Sequence, residues 1–580
     1  MGRTEVAHPG PTGRTEGARP GARTMARVTM PLADPPRAAE AGDGIATRTW
    51  SDDLGTPSAA DGARGAAALR ARLLGPRAGD RLWGWVACLA VTAVGGFLRF
   101  WRLDRPHSLV FDEVYYVKQA YSLLKVGYEL RWNSDPNASP KPDDLFTHGH
   151  PDVFLTTADF VVHPPLGKWM IAVGELIFGA SSSWGWRFSS AVCGTLSILI
   201  LARIARRLFG STLLGATAGL LLAVDGHHFV HSRTGLLDIF VMFWALVAFG
   251  CLLIDRDVAR ARLADRVAGA GTLLSYGPGL GVRWWRIAAG LALGLCTATK
   301  WSGLYFLAGF GLMTVLWDAG ARRAAGIRRW RLTTLLRDGP AAALQMLPIA
   351  LAAYLASWTG WFLSSNAYNR QWGAQHPSAH FGWVPDALRG LWKYHQEAYH
   401  FHVTLHSDHP YKSNPWSWIV MGRPTAFFYQ GPKLGENGCT VAQCSQAITA
   451  LGNPVIWWGA TIALGLLVVR WALARDWRAG AILAGLIAGY LPWFTYQTRT
   501  IYNFYSVAFV PWVVLALTYG LGMLIGPSDA TSRRRLWGGV GAGAVVVSAV
   551  LCFWWFWPIL TAQVIPQVWW SDRMWLPSWV

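Results

Sequence analysis

The sequence predicts an all-α polytopic membrane protein of about eleven transmembrane helices with two long external segments. Three observations predict it. Of 580 residues, 52 % are hydrophobic and only 15 % charged, with a mean hydropathy of +0.25. Apolar stretches recur over roughly 500 residues, each closed by arginines, where a soluble chain of this length would show several polar-surfaced domains. Thirty-five Trp, many flanking those stretches, fit interfacial aromatic belts. The net charge of +19 sits in short loops between apolar runs, so it marks topology and is not a nucleic-acid signal.

In chain order, residues 1–80 are rich in Gly, Ala, Pro, Arg and Asp and lack periodicity, and are expected to form a disordered cytoplasmic tail. No charged–apolar–cleavage pattern opens the chain, so no signal peptide is expected, and Met25 and Met30 are alternative starts. The first span falls at 82–100. The next apolar stretch, "LGKWMIAVGELIFGA", is 15 residues long and holds Lys168 and Glu175. Were it a span, Arg203, Arg206 and Arg207 would end outside, against the charge rule, so 166–180 is expected to lie on the outer surface. Further spans near 186–205, 211–225, 236–255, 287–300, 301–318, 340–362, 453–472, 479–497, 502–525 and 536–558 place the basic runs 256–266, 321–337, 470–478 and 533–535 inside. The N-terminus is then cytoplasmic and the C-terminus outside. The organisation reads as an N-terminal membrane module (81–362) with a first external loop (101–185), a second external loop (363–452), and a four-helix C-terminal module (453–580). "SYGPGLG" at 275–281 lacks the Lys-Ser/Thr of a phosphate loop and is expected to be a flexible connector.

This topology gathers chemistry on the outer face. Arg99, Asp112, Glu113, His163, Lys168, Arg187, Arg233, Asp238, Lys300 and Arg499 all fall outside or near outer span ends. Their signatures are "FLRFWRLDRP", "FDEVYY", "HPPLGKW", "WGWRFSS", "HSRTGLLDIF", "TKWSGLY" and "YQTRTIYNFY". One or two such charges would only mark topology. Several cations and acids on one face predict a membrane-edge active site for an anionic ligand.

Taken in order, these signatures resemble the protein O-mannosyltransferases, within the GT-C class of lipid-phosphate-sugar-dependent glycosyltransferases. The resemblance runs over roughly 85–570. It rests on the Asp-Glu pair, "HPPLGK", "TKWSG" and the late Arg between two spans. The second external loop is too short for the β-trefoil insert of eukaryotic members and fits bacterial, actinobacterial-type members. The resemblance implies transfer of mannose, with inversion, from a polyprenyl phosphate to Ser or Thr hydroxyls of exported proteins. The site would lie on the outer face of the plasma membrane. The alternatives are a related transferase using another lipid-phosphate sugar or a glycolipid acceptor, and, more remotely, a transporter, though no internal repeat is visible.

The residues suit such a step. A phosphate leaves without an acid, whereas a hydroxyl needs a base and growing negative charge needs cations. Asp112 is read as the base, against a loop-capping carboxylate. Glu113 either orients substrates or pairs with an arginine such as Arg99 or Arg187. Arg99, His163, Lys168, Arg187, Lys300 and Arg499 are the candidates for the donor and its phosphate, the bland readings being interface anchors, a turn cap at His163 and a snorkelling Lys168. Arg233 and Asp238 are read as a structural ion pair. Cys439 and Cys444, "CTVAQC", are expected to form a disulfide in the oxidising exterior, and the other five of seven Cys are small hydrophobes. The histidines at 395, 400, 402, 406 and 409 lack a ligand pattern and are assigned to an acceptor groove or to packing. No cofactor is expected. A divalent ion stays open because related oligosaccharide transferases use one. The partners implied are the donor, the polypeptide acceptor, membrane lipids and the secretion machinery that delivers the acceptor.

Overall fold

The computed structural model describes residues 59–75, 79–135, 137, 139–268 and 275–580. Among them, nine helices are long and apolar enough to cross a membrane: Arg81–Phe100, Ser183–Phe209, Asp238–Ala268, Gly303–Ala324, Trp330–Ser357, Pro454–Ala474, Trp477–Tyr496, Asn503–Ile525 and Ser532–Leu560. Each overlaps an expected span. The two remaining expected spans, 211–225 and 287–300, are the 12-residue helix Thr212–Ala223 and the 16-residue helix Trp284–Thr299. At 1.5 Å per residue they reach about 18 and 24 Å, short of the ~30 Å hydrocarbon core.

Local chemistry ends both early. Asp225 accepts from the His228 backbone N–H and so starts a new helix, Gly226–His231, directly after Thr212–Ala223. After Thr299 the chain becomes extended at Lys300 and turns back. That reversal needs a glycine: a Cβ on Gly303 would lie 2.4 Å from the Thr297 backbone nitrogen. Lys300 is therefore held at the tip of a tight helix–helix corner.

The helix Leu166–Phe178 has 13 residues, about 20 Å, and cannot cross. It packs against Ser183–Phe209 so closely that a Cβ on Gly174 would sit 2.1 Å from the Gly185 carbonyl oxygen. The connection between Arg81–Phe100 and Ser183–Phe209 also carries the helix Glu113–Val126 and an antiparallel strand pair, Leu130–Trp132 with Phe154–Ala158. In the connection before Pro454–Ala474, the helix Asp386–Thr404 precedes strands Thr425–Gln430 and Cys444–Ala450, which pair antiparallel. Val564–Pro566 adds to the free edge of Cys444–Ala450. The fold is thus helical, with two small sheets outside the long apolar helices.

Two local expectations differ. Residues 1–58 of the expected tail lie outside the described residues, but Ala59–Leu74 is a helix. Its Leu73 is buried and Arg260 donates to the Leu73 carbonyl at 2.9 Å, which docks it on Asp238–Ala268. The "SYGPGLG" segment is a held loop, not a loose connector. Its carbonyls accept from Arg322 at Pro278 (3.1 Å), Arg262 at Leu280 (2.7 Å) and Thr333 at Tyr276 (2.8 Å). Side chains of the neighbouring helices satisfy the backbone that glycine leaves bare.

Cys439 and Cys444 are joined by a disulfide in the connection between the strands Thr425–Gln430 and Cys444–Ala450. With five residues of separation, the closed loop is small and its entropic stabilisation is about 2 kcal/mol. Cys444→Ser should lower the unfolding midpoint of this sheet accordingly and leave the spans inserted. An unchanged midpoint would show the bridge to be without effect.

Candidate active site

Asp112 stands immediately before the helix Glu113–Val126, yet its side chain caps nothing there. It lines a cavity of about 1050 Å³ bounded by Tyr116, His163, Asp238, Lys300, Trp301, His402, Arg499, Tyr502 and Tyr505. Five segments far apart in sequence thus supply the walls: the connection after the first span, the start of Asp238–Ala268, the Lys300 corner, the end of Asp386–Thr404, and the stretch from Arg499 into the start of Asn503–Ile525. A site of this size with a few convergent polar groups is what a small-molecule or cofactor pocket requires.

The electrostatics are uneven around it. Burial pushes the Asp112 carboxyl up to about 6; Lys300 opposes the rise and Asp238 adds to it. The same desolvation, with Lys300 and His402 adding to it, holds His163 well below the usual imidazole range, and burial brings His402 down to about 4. Both rings are neutral at neutral pH. The His402 Nε2 donates to the Val162 carbonyl at 2.9 Å and its ring lies 5.1 Å from that of His163, which seats the helix Asp386–Thr404 on the "HPP" turn.

The two cavity cations differ. Lys300 Nζ donates to the Asp238 carboxylate at 2.6 Å, so part of its charge is already answered. Arg499 makes no side-chain hydrogen bond or ion pair among the described residues, and its Nε is buried without a partner. A guanidinium left without a carboxylate at a cavity wall is ready to receive an anion.

Of the expected donor-binding residues, His163, Lys300 and Arg499 line the cavity, while Arg99, Lys168 and Arg187 do not. Arg99 is fully buried and donates to the carbonyls of Gly95 (2.9 Å), Leu222 and Ala223 (both 3.3 Å) and to His228 Nδ1 (2.8 Å), so it closes the end of Thr212–Ala223. Lys168 pairs with Glu129 and donates to the His163 carbonyl at 3.1 Å, neither snorkelling nor reaching the site. Arg187 pairs with Glu113 through two bonds of 2.9 Å. Glu113 is itself fully buried behind the cavity wall and absent from its lining. Of its two expected roles, orienting substrates or pairing with Arg99 or Arg187, the structure has the pair with Arg187, and a catalytic contact with substrate is not made.

The expected Arg233–Asp238 pair does not form. Asp238 binds Lys300, and Arg233 donates to the carbonyls of Leu98 (3.2 Å), Arg99 and Trp101 (both 2.7 Å) and Arg102 (2.9 Å). The end of the helix Arg81–Phe100 leaves carbonyls without intrahelical donors, and the guanidinium fork satisfies those of Leu98 and Arg99 together with two just beyond the helix, Trp101 and Arg102. Tyr116, Trp301, Tyr502 and Tyr505 were not singled out from sequence. Their only signal was aromatic density inside motifs picked for their charges. Among the described residues no group of three or more His, Cys, Asp or Glu is placed to hold a metal ion.

Two family models match: one described as dolichyl-phosphate-mannose-protein mannosyltransferase over residues 162–275, and one as the C-terminal four-transmembrane region of protein O-mannosyltransferase over 387–579. A polyprenol-phosphate-mannose–protein mannosyltransferase of Mycolicibacterium smegmatis is 40 % identical over 511 residues, covering 86 % of this chain and 94 % of the relative. One of Mycobacterium tuberculosis is 37 % identical over 509 residues, covering 86 % and 92 %. Among solved structures, the S. cerevisiae protein O-mannosyltransferase Pmt1-Pmt2 complex bound to the sugar donor superposes with a TM-score of 0.62. The match covers 89 % of this chain and 94 % of that one at 14 % identity, a likeness of fold.

Glu113→Gln removes one charge of a buried pair and leaves Arg187 uncompensated. The substitution should cost about 3–5 kcal/mol, read as a lowered unfolding midpoint in detergent. A midpoint equal to that of the unaltered protein would mean that the pair contributes nothing to the fold.

Proposed function

The chain belongs to the polyprenol-phosphate-mannose–protein mannosyltransferases, and from that premise we propose how its own residues carry mannose from a polyprenyl phosphate to Ser or Thr hydroxyls of exported polypeptides. The observation that carries the reading is the pairing, in one cavity, of a carboxylate that caps no helix with an arginine that meets no carboxylate among the described residues.

The Asp112 carboxylate accepts the hydroxyl proton as the Ser or Thr oxygen forms its bond to the anomeric carbon. On the opposite face the bond from that carbon to the phosphate oxygen breaks, and the electron pair leaves with the phosphate. The displacement is single, so configuration inverts. Arg499 meets the negative charge that grows on the phosphate, and Lys300, anchored by Asp238, supports it. No proton is needed by the leaving group. The neutral His163 and the Tyr side chains offer hydrogen bonds to sugar hydroxyls without adding charge. The donor's lipid tail explains a site beside the spans. The arginine-rich loops support a cytoplasmic N-terminus, with the cavity on the outer face of the plasma membrane.

The direct test incubates the purified protein with polyprenyl-phosphate-mannose and a Ser/Thr-rich peptide and weighs the peptide. A gain of one hexose is expected. Asp112→Asn keeps size and most hydrogen bonds but cannot take the proton, so turnover should fall roughly 10²–10⁴-fold with donor affinity little changed. Retention of most transfer would remove the base assignment. The base works only when ionised, so kcat/KM should fall about tenfold per pH unit below an acid limb near 6 and level off above it. Asp112→Asn should lack that limb.

A charge-assisted contact to phosphate is worth roughly 1.5–3 kcal/mol. Arg499→Ala should therefore raise the donor KM about tenfold to a hundredfold, and Lys300→Ala should raise it less, because Asp238 already holds part of that charge. A normal donor KM in Arg499→Ala would return this arginine to the interface.

A further inference from the structure

The residue before Asp112 has the wrong backbone for its type. Phe111 has φ +51°, in the left-handed region that a bulky side chain adopts only when its surroundings force it. The turn it makes decides where Asp112 points, because Asp112 is the next residue and the helix begins immediately afterwards.

What forces it comes from elsewhere in the chain. The Phe111 ring stacks on Phe427 with centroids 4.6 Å apart and planes within 7°, and meets the edge of Phe504 at 5.1 Å and 86°. Phe427 and Phe504 in turn touch edge to face at 5.9 Å, and His231 stands edge-on to Phe427 at 5.2 Å. These are the favoured geometries of aromatic pairs, with an attraction beyond their buried area. Phe427 is 4 % exposed and sits behind Phe111, outside the cavity lining.

The strand that carries Phe427 is broken at that residue. Ala426 pairs with Thr449 and Phe428 with Ile448, so Phe427 is the extra residue of a β-bulge in the strand Thr425–Gln430. Bulges re-aim a side chain that regular alternation would send elsewhere. The bulge is held in a sheet that the strand Val564–Pro566 completes and that the disulfide closes at one end.

We propose that Phe427 is a positioning residue for Asp112: stacked on Phe111, it holds the left-handed turn that carries the Asp112 carboxylate into the cavity. The segment before Pro454–Ala474 thereby sets the geometry of a group supplied by the segment after Arg81–Phe100. The inference rests on the reading of Asp112 as the base.

The test compares kcat, donor KM and the acid limb of the pH profile in Phe427→Ala, Phe427→Leu and Phe427→Tyr. Leucine keeps apolar volume without a flat face, and tyrosine keeps the ring. Ala and Leu should lower kcat about tenfold to a hundredfold, the scale of a small misplacement of a catalytic group, with donor KM within about twofold. Both should move the acid limb, because Asp112 shifts relative to Lys300 and Asp238. Phe427→Tyr should stay near the unaltered protein. Adding Phe111→Gly to Phe427→Ala should recover part of kcat, since glycine takes the left-handed turn without a clamp. A normal kcat and pH profile in Phe427→Leu would overturn the proposal, and so would parallel losses of kcat and donor affinity with the limb unmoved. Asp112→Asn run alongside separates the two levels. Full activity there removes the base, whereas an inactive Asp112→Asn beside fully active Phe427 variants removes only the clamp. Should Phe427→Ala fail to accumulate, Phe427→Leu carries the same comparison.

Discussion

The Glu113–Arg187 pair is the contact on which the cavity end of this protein is built. One guanidinium, fully buried on the helix Ser183–Phe209, reaches both oxygens of Glu113 and the carbonyls of Leu103, Pro106 and Ser108. Glu113 also accepts from the backbone N–H groups of Val110 (2.9 Å) and Gly235 (2.7 Å). Burying two charges costs several kcal/mol each and is tolerated only when every remaining donor and acceptor is met. Here the satisfying groups belong to the link after the first span, the start of Glu113–Val126 and the turn before Asp238. A single polar junction therefore fixes three chain segments, and Asp112, held beside it, has neither a cap bond nor an ion pair among the described residues.

The same logic sorts the other charges. Arg99 and Arg233 spend their guanidinium forks on carbonyls at helix ends, and Lys168 on Glu129. These groups hold the walls. Lys300 lies between the two classes, anchored to Asp238 yet facing the cavity, and Arg499 faces it with no carboxylate to neutralise it among the described residues. The frame of the cavity is internally compensated, while Asp112 and Arg499 keep their charges for what enters. Such a cavity has the chemistry to receive an anion and to accept a proton.

Much of this was legible in the sequence. Runs of apolar residues bounded by arginines located the nine long helices, because the thickness of hydrocarbon sets the length of helix. "FDEVYY", "HPPLGKW", "TKWSG" and the late arginine named cavity residues, because ionisable groups at a membrane edge need a reason to be there. The expected spans at 211–225 and 287–300 are helices too short to cross, since hydropathy reports composition and not where a cap at Asp225 or a corner at Lys300 stops the helix. The destination of Arg233 was hidden for a different reason. Its partners are backbone carbonyls, which no side-chain pattern announces. Glu113 was left between orienting substrates and pairing with Arg99 or Arg187, because the sequence does not show which groups are buried together. Phe427 left no trace at all, because a bulge and a ring stack across distant segments have no periodicity to betray them.

A bidentate arginine, and not merely a positive charge, holds the junction beside Asp112 in place. Arg187→Lys tests it most directly, with kcat, donor KM and the pH profile measured on one preparation. Lysine keeps the charge beside Glu113, but one ammonium cannot span its two oxygens and the three carbonyls of Leu103, Pro106 and Ser108. The expected result is a folded protein with an ordinary donor KM, a kcat lowered about tenfold or more, and an acid limb displaced from its position in the unaltered protein. An Arg187→Lys protein with the original kcat and pH profile would contradict it, and would leave Glu113–Arg187 as one ion pair among several.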